Sequence, residues 1–143
     1  MENDTVKLLR ECDAGVKMAI SSFEDIEDKV DSGKLRDMLN ESKKQHSSLA
    51  GDISKRLFEN NDSGKDPNPV AKGMSWMKTE LKMGIDGSDK TVADLMTDGC
   101  NMGIKSLGRY LNQYKAADEN SQSLARKLIT IEADLVTGLR EYL

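Results

Sequence analysis

The sequence predicts an all-α fold, a four-helix bundle. Apolar residues recur at steps of three and four through four long segments, and no segment alternates for long with a period of two, as a strand would. The two prolines, Pro67 and Pro69, lie in one short stretch, so the long segments are free of helix breakers. The 143 residues fit one domain, which we place at 1–143.

The first predicted helix covers residues 5–31. Asp4 is its expected N-cap, because a carboxylate can accept hydrogen bonds from the free N–H groups of the first turn. Ser32 and Gly33 end the helix, and Ser32 is suited to cap the next one. The apolar face consists of Leu8, Cys12, Val16, Ala19, Phe23, Ile26 and Val30.

The second predicted helix, residues 34–60, completes a hairpin that spans 4–60. Two positions on its core face, Ser42 and His46, are polar. The other residues of that face are apolar and keep the helical spacing, so we expect the whole face to be buried. They are Leu35, Leu39, Leu49, Ile53 and Leu57.

Residues 61–89 are predicted to form a crossover between two hairpins. The segment begins with Asn, Asp, Gly and Pro, which favour turns, and it is far longer than a tight turn in a bundle requires. A short helix is expected within it at about 70–84. Its apolar face is Val70, Met74, Met77 and Leu81.

The second hairpin, 90–143, contains predicted helices at 90–116 and 121–142. A polar turn with capping residues lies between them, at 118–121. Both helices carry an apolar face of the usual spacing. The first has Ala93, Met96, Cys100, Ile104, Leu107, Leu111 and Tyr114, and the second has Leu124, Leu128, Ile131, Leu135, Leu139 and Tyr142.

The two hairpins share a short internal repeat. Cys12 and Gly15 match Cys100 and Gly103 at an offset of 88 residues, and a β-branched residue followed by Lys comes after each glycine. The second arms match at an offset of 89, with Leu35 and Leu39 equivalent to Leu124 and Leu128. Two similar antiparallel hairpins predict a bundle with a pseudo-twofold axis.

The chain resembles the small bacterial ferritin-like proteins of unassigned function. The features that carry the resemblance are the two hairpins, the long crossover, the segments around Gly15 and Gly103, and the stretch 70–83. The resemblance covers nearly the whole chain. It implies a ferritin-like up-down four-helix bundle of two pseudo-repeated hairpins. It implies no particular activity.

The di-iron motif of that fold is mostly absent. A di-iron site takes a Glu from each of two helices and a Glu-x-x-His pair from each of the other two. Three residues before His46 stands Lys43 instead of Glu, and three residues after Glu132 stands Leu135 instead of His. We therefore expect no metal cofactor and no catalytic residue.

A residual zinc site is an alternative hypothesis. Cys12, Cys100, His46 and Glu132 could converge at the centre of the bundle, and thiolates and imidazole are zinc ligands. We favour another interpretation, in which both cysteines are small apolar core residues. In that interpretation His46 is a buried or boundary residue that is hydrogen-bonded to Ser42, to a backbone group or to a carboxylate across the bundle.

Gly15 and Gly103 lie in the middle of predicted helices, where Gly costs about 1 kcal/mol relative to Ala. Such a cost usually has a packing reason. We expect the two glycines to lie near the pseudo-twofold axis, where they permit a close approach of the first and third long helices.

Charge and hydropathy exclude several partners. The net charge is −4 and the two signs are interspersed without a basic block, which argues against nucleic acid and anionic lipid as ligands. No run of 18 apolar residues is present, so we expect no membrane span. The polar start of the sequence lacks an apolar signal region, and we expect a cytoplasmic protein with reduced cysteines.

Trp76, together with Met74 and Met77, is the best sequence candidate for a partner contact, because Trp76 lies off the apolar face of its predicted helix. We expect a non-enzymatic cytoplasmic bundle that acts through protein contacts or self-association, as a homodimer. A metal-binding ferritin-like bundle with a degenerate site is one alternative. A carrier of a small apolar ligand is another.

Overall fold

The computed structural model describes residues 3–64 and 88–143, and all regular structure within them is helical. This confirms the all-α prediction for the described part of the chain. The predicted crossover helix near 70–84 lies outside the described residues. The helices are α1 (Asp4–Ile26), α2 (Gly33–Glu59), α3 (Asp89–Gln113) and α4 (Glu119–Leu139), followed by a short 3₁₀ turn (Arg140–Tyr142).

A polar side chain caps the N-terminus of each of the four helices. Asn3 caps α1 by accepting a hydrogen bond from the Val6 N–H at 2.9 Å. The prediction that Asp4 is the cap is wrong, because the helix begins one residue earlier than expected and Asp4 lies inside its first turn. The caps of the other three helices are Ser32, Ser88 and Asp118.

At one end of the bundle, α3 is hydrogen-bonded to the turn between α1 and α2. The carboxylate of Asp89, the first residue of α3, accepts from the backbone N–H groups of Asp31 and Ser32 at 2.8 and 3.0 Å. A charged acceptor makes such bonds roughly twice as strong as neutral ones. The start of α3 therefore lies beside the end of α1.

At the opposite end, α1 is hydrogen-bonded to the turn between α3 and α4. The Asp4 carboxylate accepts from the N–H of Ala116 at 3.0 Å, and the Thr5 hydroxyl accepts from the N–H of Asp118 at 2.8 Å. The start of α4 therefore lies beside the start of α1. Each hairpin thus donates turn N–H groups to the leading helix of the other.

These contacts determine the directions of the helices. α1 and α4 run one way, and α2 and α3 run the other. α2 is 27 residues long, which corresponds to about 40 Å. α2 therefore ends at one end of the bundle, and α3 starts at the other.

The predicted apolar faces form the core. Every predicted core-face position of α1 and α2 is buried, including the polar Ser42 and His46. In the second hairpin the match is partial. Met96 and Cys100 are fully buried, whereas Ile104, Leu111, Tyr114 and Ile131 are only half-buried.

The residues that follow α2 are bound to α1. Arg10 donates to both oxygens of Asp62, at distances down to 2.7 Å, and Asp62 also accepts from the N–H of Gly64 at 2.8 Å. These bonds hold the pKa of Asp62 below its usual range, with the Arg10 hydrogen bond as the main cause. Gly64 has a φ of +91° and lies directly over the buried carboxylate of Asp13.

We expect Gly64→Ala to destabilise the protein by about 1–3 kcal/mol, because the backbone conformation at Gly64 is unfavourable for residues with a Cβ. The added Cβ would also lie 2.5 Å from Asp13 Oδ2. Chemical denaturation followed by circular dichroism measures the change. Gly51→Ala is the matched control, since its Cβ would meet nothing within 4 Å, and we expect it to stabilise the helix by up to about 1 kcal/mol.

Candidate functional site at the centre of the bundle

A layer of polar side chains divides the core into two apolar clusters. On α2, Ser42 and His46 lie between Leu39 of one cluster and Leu49 of the other. On α4, Glu132 lies between Leu128 and Leu135 in the same way. Buried polar groups need partners or a special arrangement, so this layer is the candidate functional site.

His46 is held in one tautomer. Its side chain is fully buried, and its Nδ1 lies 2.8 Å from the backbone carbonyl oxygen of Ser42. A carbonyl oxygen only accepts, so we assign the proton to Nδ1, which leaves the lone pair on Nε2. Nε2 is buried and has no hydrogen-bond partner within the described residues.

The surroundings of His46 favour its neutral form. Burial lowers its pKa, and the hydrogen bond to Ser42 only partly opposes that effect. The Phe23 ring meets the imidazole edge-on, with 5.1 Å between ring centroids. His46 is therefore a neutral hydrogen-bond acceptor at physiological pH.

Glu132 occupies a notch in α3 that exists because residue 103 is glycine. A Cβ built on Gly103 would lie 3.1 Å from Glu132 Cδ and well inside van der Waals contact of Oε1. The side chain of Glu132 is only 2% exposed. Burial raises its pKa to about 8, so the folded protein favours the protonated acid at neutral pH.

The two cysteines are buried thiols. Both have no exposed surface and neither forms a disulfide. Burial raises the pKa of Cys12 to about 12, and the carboxylates of Glu11, Glu132 and Asp13 act in the same direction. Burial and then Glu132 also raise the pKa of Cys100. Neither sulfur is a thiolate at neutral pH, so neither is a ready nucleophile or metal ligand.

The structure brings Glu132 close to both cysteines but does not bring the four candidate ligands together. Burial lowers the pKa of His46 and the hydrogen bond to Ser42 opposes that effect, and Glu132 is not among the groups that shift it. Within residues 3–64 and 88–143, no group of three or more His, Cys, Asp and Glu side chains could hold a metal ion. The alternative of a zinc site finds no ligand set in this part of the chain.

The prediction of close helix packing at the two glycines needs correction. No atom of the described residues lies within 4 Å of a Cβ placed on Gly15, so α1 and α3 do not meet there. At Gly103 the close neighbour is the Glu132 side chain of α4 and not the backbone of α1. The two repeat-equivalent glycines therefore have different surroundings.

Two features escaped the sequence analysis. The contact of Gly103 with Glu132 joins residues 29 positions apart and leaves no local pattern. Phe58 of α2 is 81% exposed. Its position off the apolar face of the helix could have identified it in the sequence as an exposed aromatic residue. The predicted partner contacts at Met74, Trp76 and Met77 lie outside the described residues.

Comparison of the chain with protein-family models, with curated proteins and with solved structures finds no match. The described helices include none with the length and apolar character needed to cross a membrane.

We expect Gly103→Ala and Gly15→Ala to have opposite effects on the free energy of unfolding. Gly103→Ala forces the buried Glu132 out of its notch and should destabilise by about 1–3 kcal/mol. Gly15→Ala should stabilise by up to about 1 kcal/mol, because Ala is the better helix former and its methyl group has space. Denaturant titration measures both free energies of unfolding. Equal effects of the two substitutions would contradict the conclusion that Glu132 needs the space at Gly103.

Both cysteines should resist alkylation in the folded protein at pH 8, since the thiols are buried and protonated. Mass spectrometry after iodoacetamide treatment should find both labelled in denaturant and neither labelled promptly in buffer. Rapid labelling of either cysteine in the folded state would show that the centre is accessible.

Proposed function

We propose that the protein acts through protein–protein contacts, by pairing with a second copy of itself, and that it is not an enzyme. One contrast carries the proposal. His46, Glu132 and both cysteines are at most 2% exposed, so a substrate would reach them only if the bundle opened. The aromatic side chain of Phe58, in contrast, is 81% exposed.

Phe58 ends a row of exposed small residues on α2, which we call the Phe58 face. Ser47, Gly51 and Ser54 precede it at steps of four, three and four, so they share one side of the helix. A Cβ at Gly51 would meet nothing within 4 Å. Small residues let a second helix approach closely, and an aromatic side chain ringed by polar groups is a typical interface anchor.

The energy available from this face is substantial. Full burial of a Phe side chain contributes about 1.5–3 kcal/mol, which is roughly a fifth to a third of the about 8 kcal/mol of a micromolar dimer. The protein leaves this side chain in water on a well-formed helix, near the end where Arg56 joins α2 to Asp118 at the start of α4. A helix held at its end presents the Phe58 face with little loss of entropy on binding.

We infer further that the fold is ferritin-like and that its hairpins are related by the internal repeat. The helix directions, with the end of α2 and the start of α3 at opposite ends of the bundle, support the first point. Cys12 and Cys100, equivalent in the repeat, are both fully buried, which supports the second. We place the protein in the cytoplasm, where its two free thiols stay reduced.

Sedimentation equilibrium between about 1 and 500 μM tests the proposed pairing. The wild type should approach twice the 15.8 kDa chain mass, whereas Phe58→Ser should remain a monomer to at least tenfold higher concentration. Met102→Ser is the matched control, because Met102 is 62% exposed on α3, away from the Phe58 face.

Two results would overturn the proposal. One is a wild type that is monomeric across the whole range. The other is a dimer that Phe58→Ser leaves intact, which would place the interface elsewhere. Circular dichroism of each variant confirms that α2 is retained.

A further inference from the structure

The Glu132 carboxyl is a buried acid without a counter-ion. None of the hydrogen bonds or ion pairs in the described part of the chain involves it, and its side chain is 2% exposed. The notch at Gly103 fits the carboxyl group and leaves no room for a side chain at residue 103. An ionised carboxylate at this place would be largely removed from water and would lack a cation, so the closed bundle favours the protonated acid.

The groups around Glu132 do not supply the missing charge. Both cysteine thiols stay neutral, and His46 is neutral because burial lowers its pKa. Lys17, a cation in the middle of α1, is bound to Asp13 at 2.7 Å. The buried titratable side chains in the middle of the other helices are Cys12 and Asp13 of α1, His46 of α2 and Cys100 of α3.

We propose that Glu132 is a proton-controlled latch between α3 and α4. The contact is closed while the carboxyl group in the Gly103 notch keeps its proton, and it opens when that proton is lost to water. Full hydration of the carboxylate requires the group to leave the notch, because only 2% of Glu132 is exposed while it lies there, and in this proposal α4 moves away from α3 as it leaves. The latch does not depend on the pairing proposed above, since it concerns a buried contact within one chain.

The sign of the pH dependence follows from the two states. Burial raises the pKa of Glu132 from 4.5 to about 8 in the closed state, whereas an opened, hydrated carboxyl regains the lower value. Between these values the closed state binds a proton that the open state releases, so raising the pH favours opening. The opening equilibrium should rise roughly tenfold per pH unit from about pH 5 to 8 and level off above.

Hydrogen exchange of the full chain, followed by mass spectrometry from pH 5 to 9 and corrected for intrinsic exchange rates, tests the latch. In the wild type, amides of α3 and α4 near residues 103 and 132 should open roughly tenfold more per pH unit below pH 8. Glu132→Gln, which keeps the shape but cannot ionise, should remove this slope. Asp13→Asn is the control. It changes the other deeply buried carboxyl group, which is paired with Lys17, and it should leave the pH slope unchanged.

An identical pH slope in the wild type and in Glu132→Gln would overturn the proposal. A slope shared equally by all four helices would overturn it as well, because ionisation would then unfold the whole bundle and not one contact. Both variants retain a side chain of nearly native size, so we expect both to fold. Circular dichroism before the exchange experiment verifies their helix content.

Discussion

The arrangement of the two hairpins depends on backbone N–H groups that cross from the turn of one hairpin to the leading helix of the other. Asp89 receives two of them from the α1–α2 turn, and Asp4 and Thr5 receive two from the α3–α4 turn. Turn N–H groups without acceptors would be costly wherever water is excluded. The carboxylates also lie in the first turns of their helices, where negative charge is favourable.

Because these contacts act at opposite ends, they fix the direction of each helix and align the hydrophobic residues of the two hairpins. The two apolar clusters then form above and below a common middle layer. That layer is polar in both α2 and α4, so the core is apolar toward both ends and polar at its centre. The hydrogen bond of His46 to Ser42 offsets part of the cost, and Glu132 avoids charge by keeping its proton.

The sequence was most informative about which residues of a helix are buried, where that follows from the apolar spacing of the helix itself. The faces of α1 and α2 follow from apolar spacing, and every predicted position is buried because the two faces pack directly against each other. In α4 the spacing favoured Ile131, yet Glu132 is the deeply buried side chain and Ile131 is half-buried. A hydrophobicity pattern cannot anticipate a carboxyl group that enters the core through space left by a glycine on another helix.

Local capping rules gave the right region but were one residue out at the start of α1, where Asn3 is the cap and Asp4 is free to bind the distant Ala116. The repeat singled out Gly15 and Gly103 as a pair, but it could not distinguish their surroundings. Their roles differ because only Gly103 faces a large side chain from a neighbouring helix. The surroundings of equivalent positions differ because residues from other helices, which are not related by the repeat, pack against them.

The dependence of Glu132 on Gly103 also constrains the order in which the sequence can have changed. With Glu132 in its present conformation there is no room for a side chain at position 103, so a larger residue at 103 requires residue 132 to move or to be shortened. The two positions are thus epistatic, and in divergent descendants they should be replaced together. Gly15 has no such partner among the described residues, so alanine can enter there at any time without a compensating change.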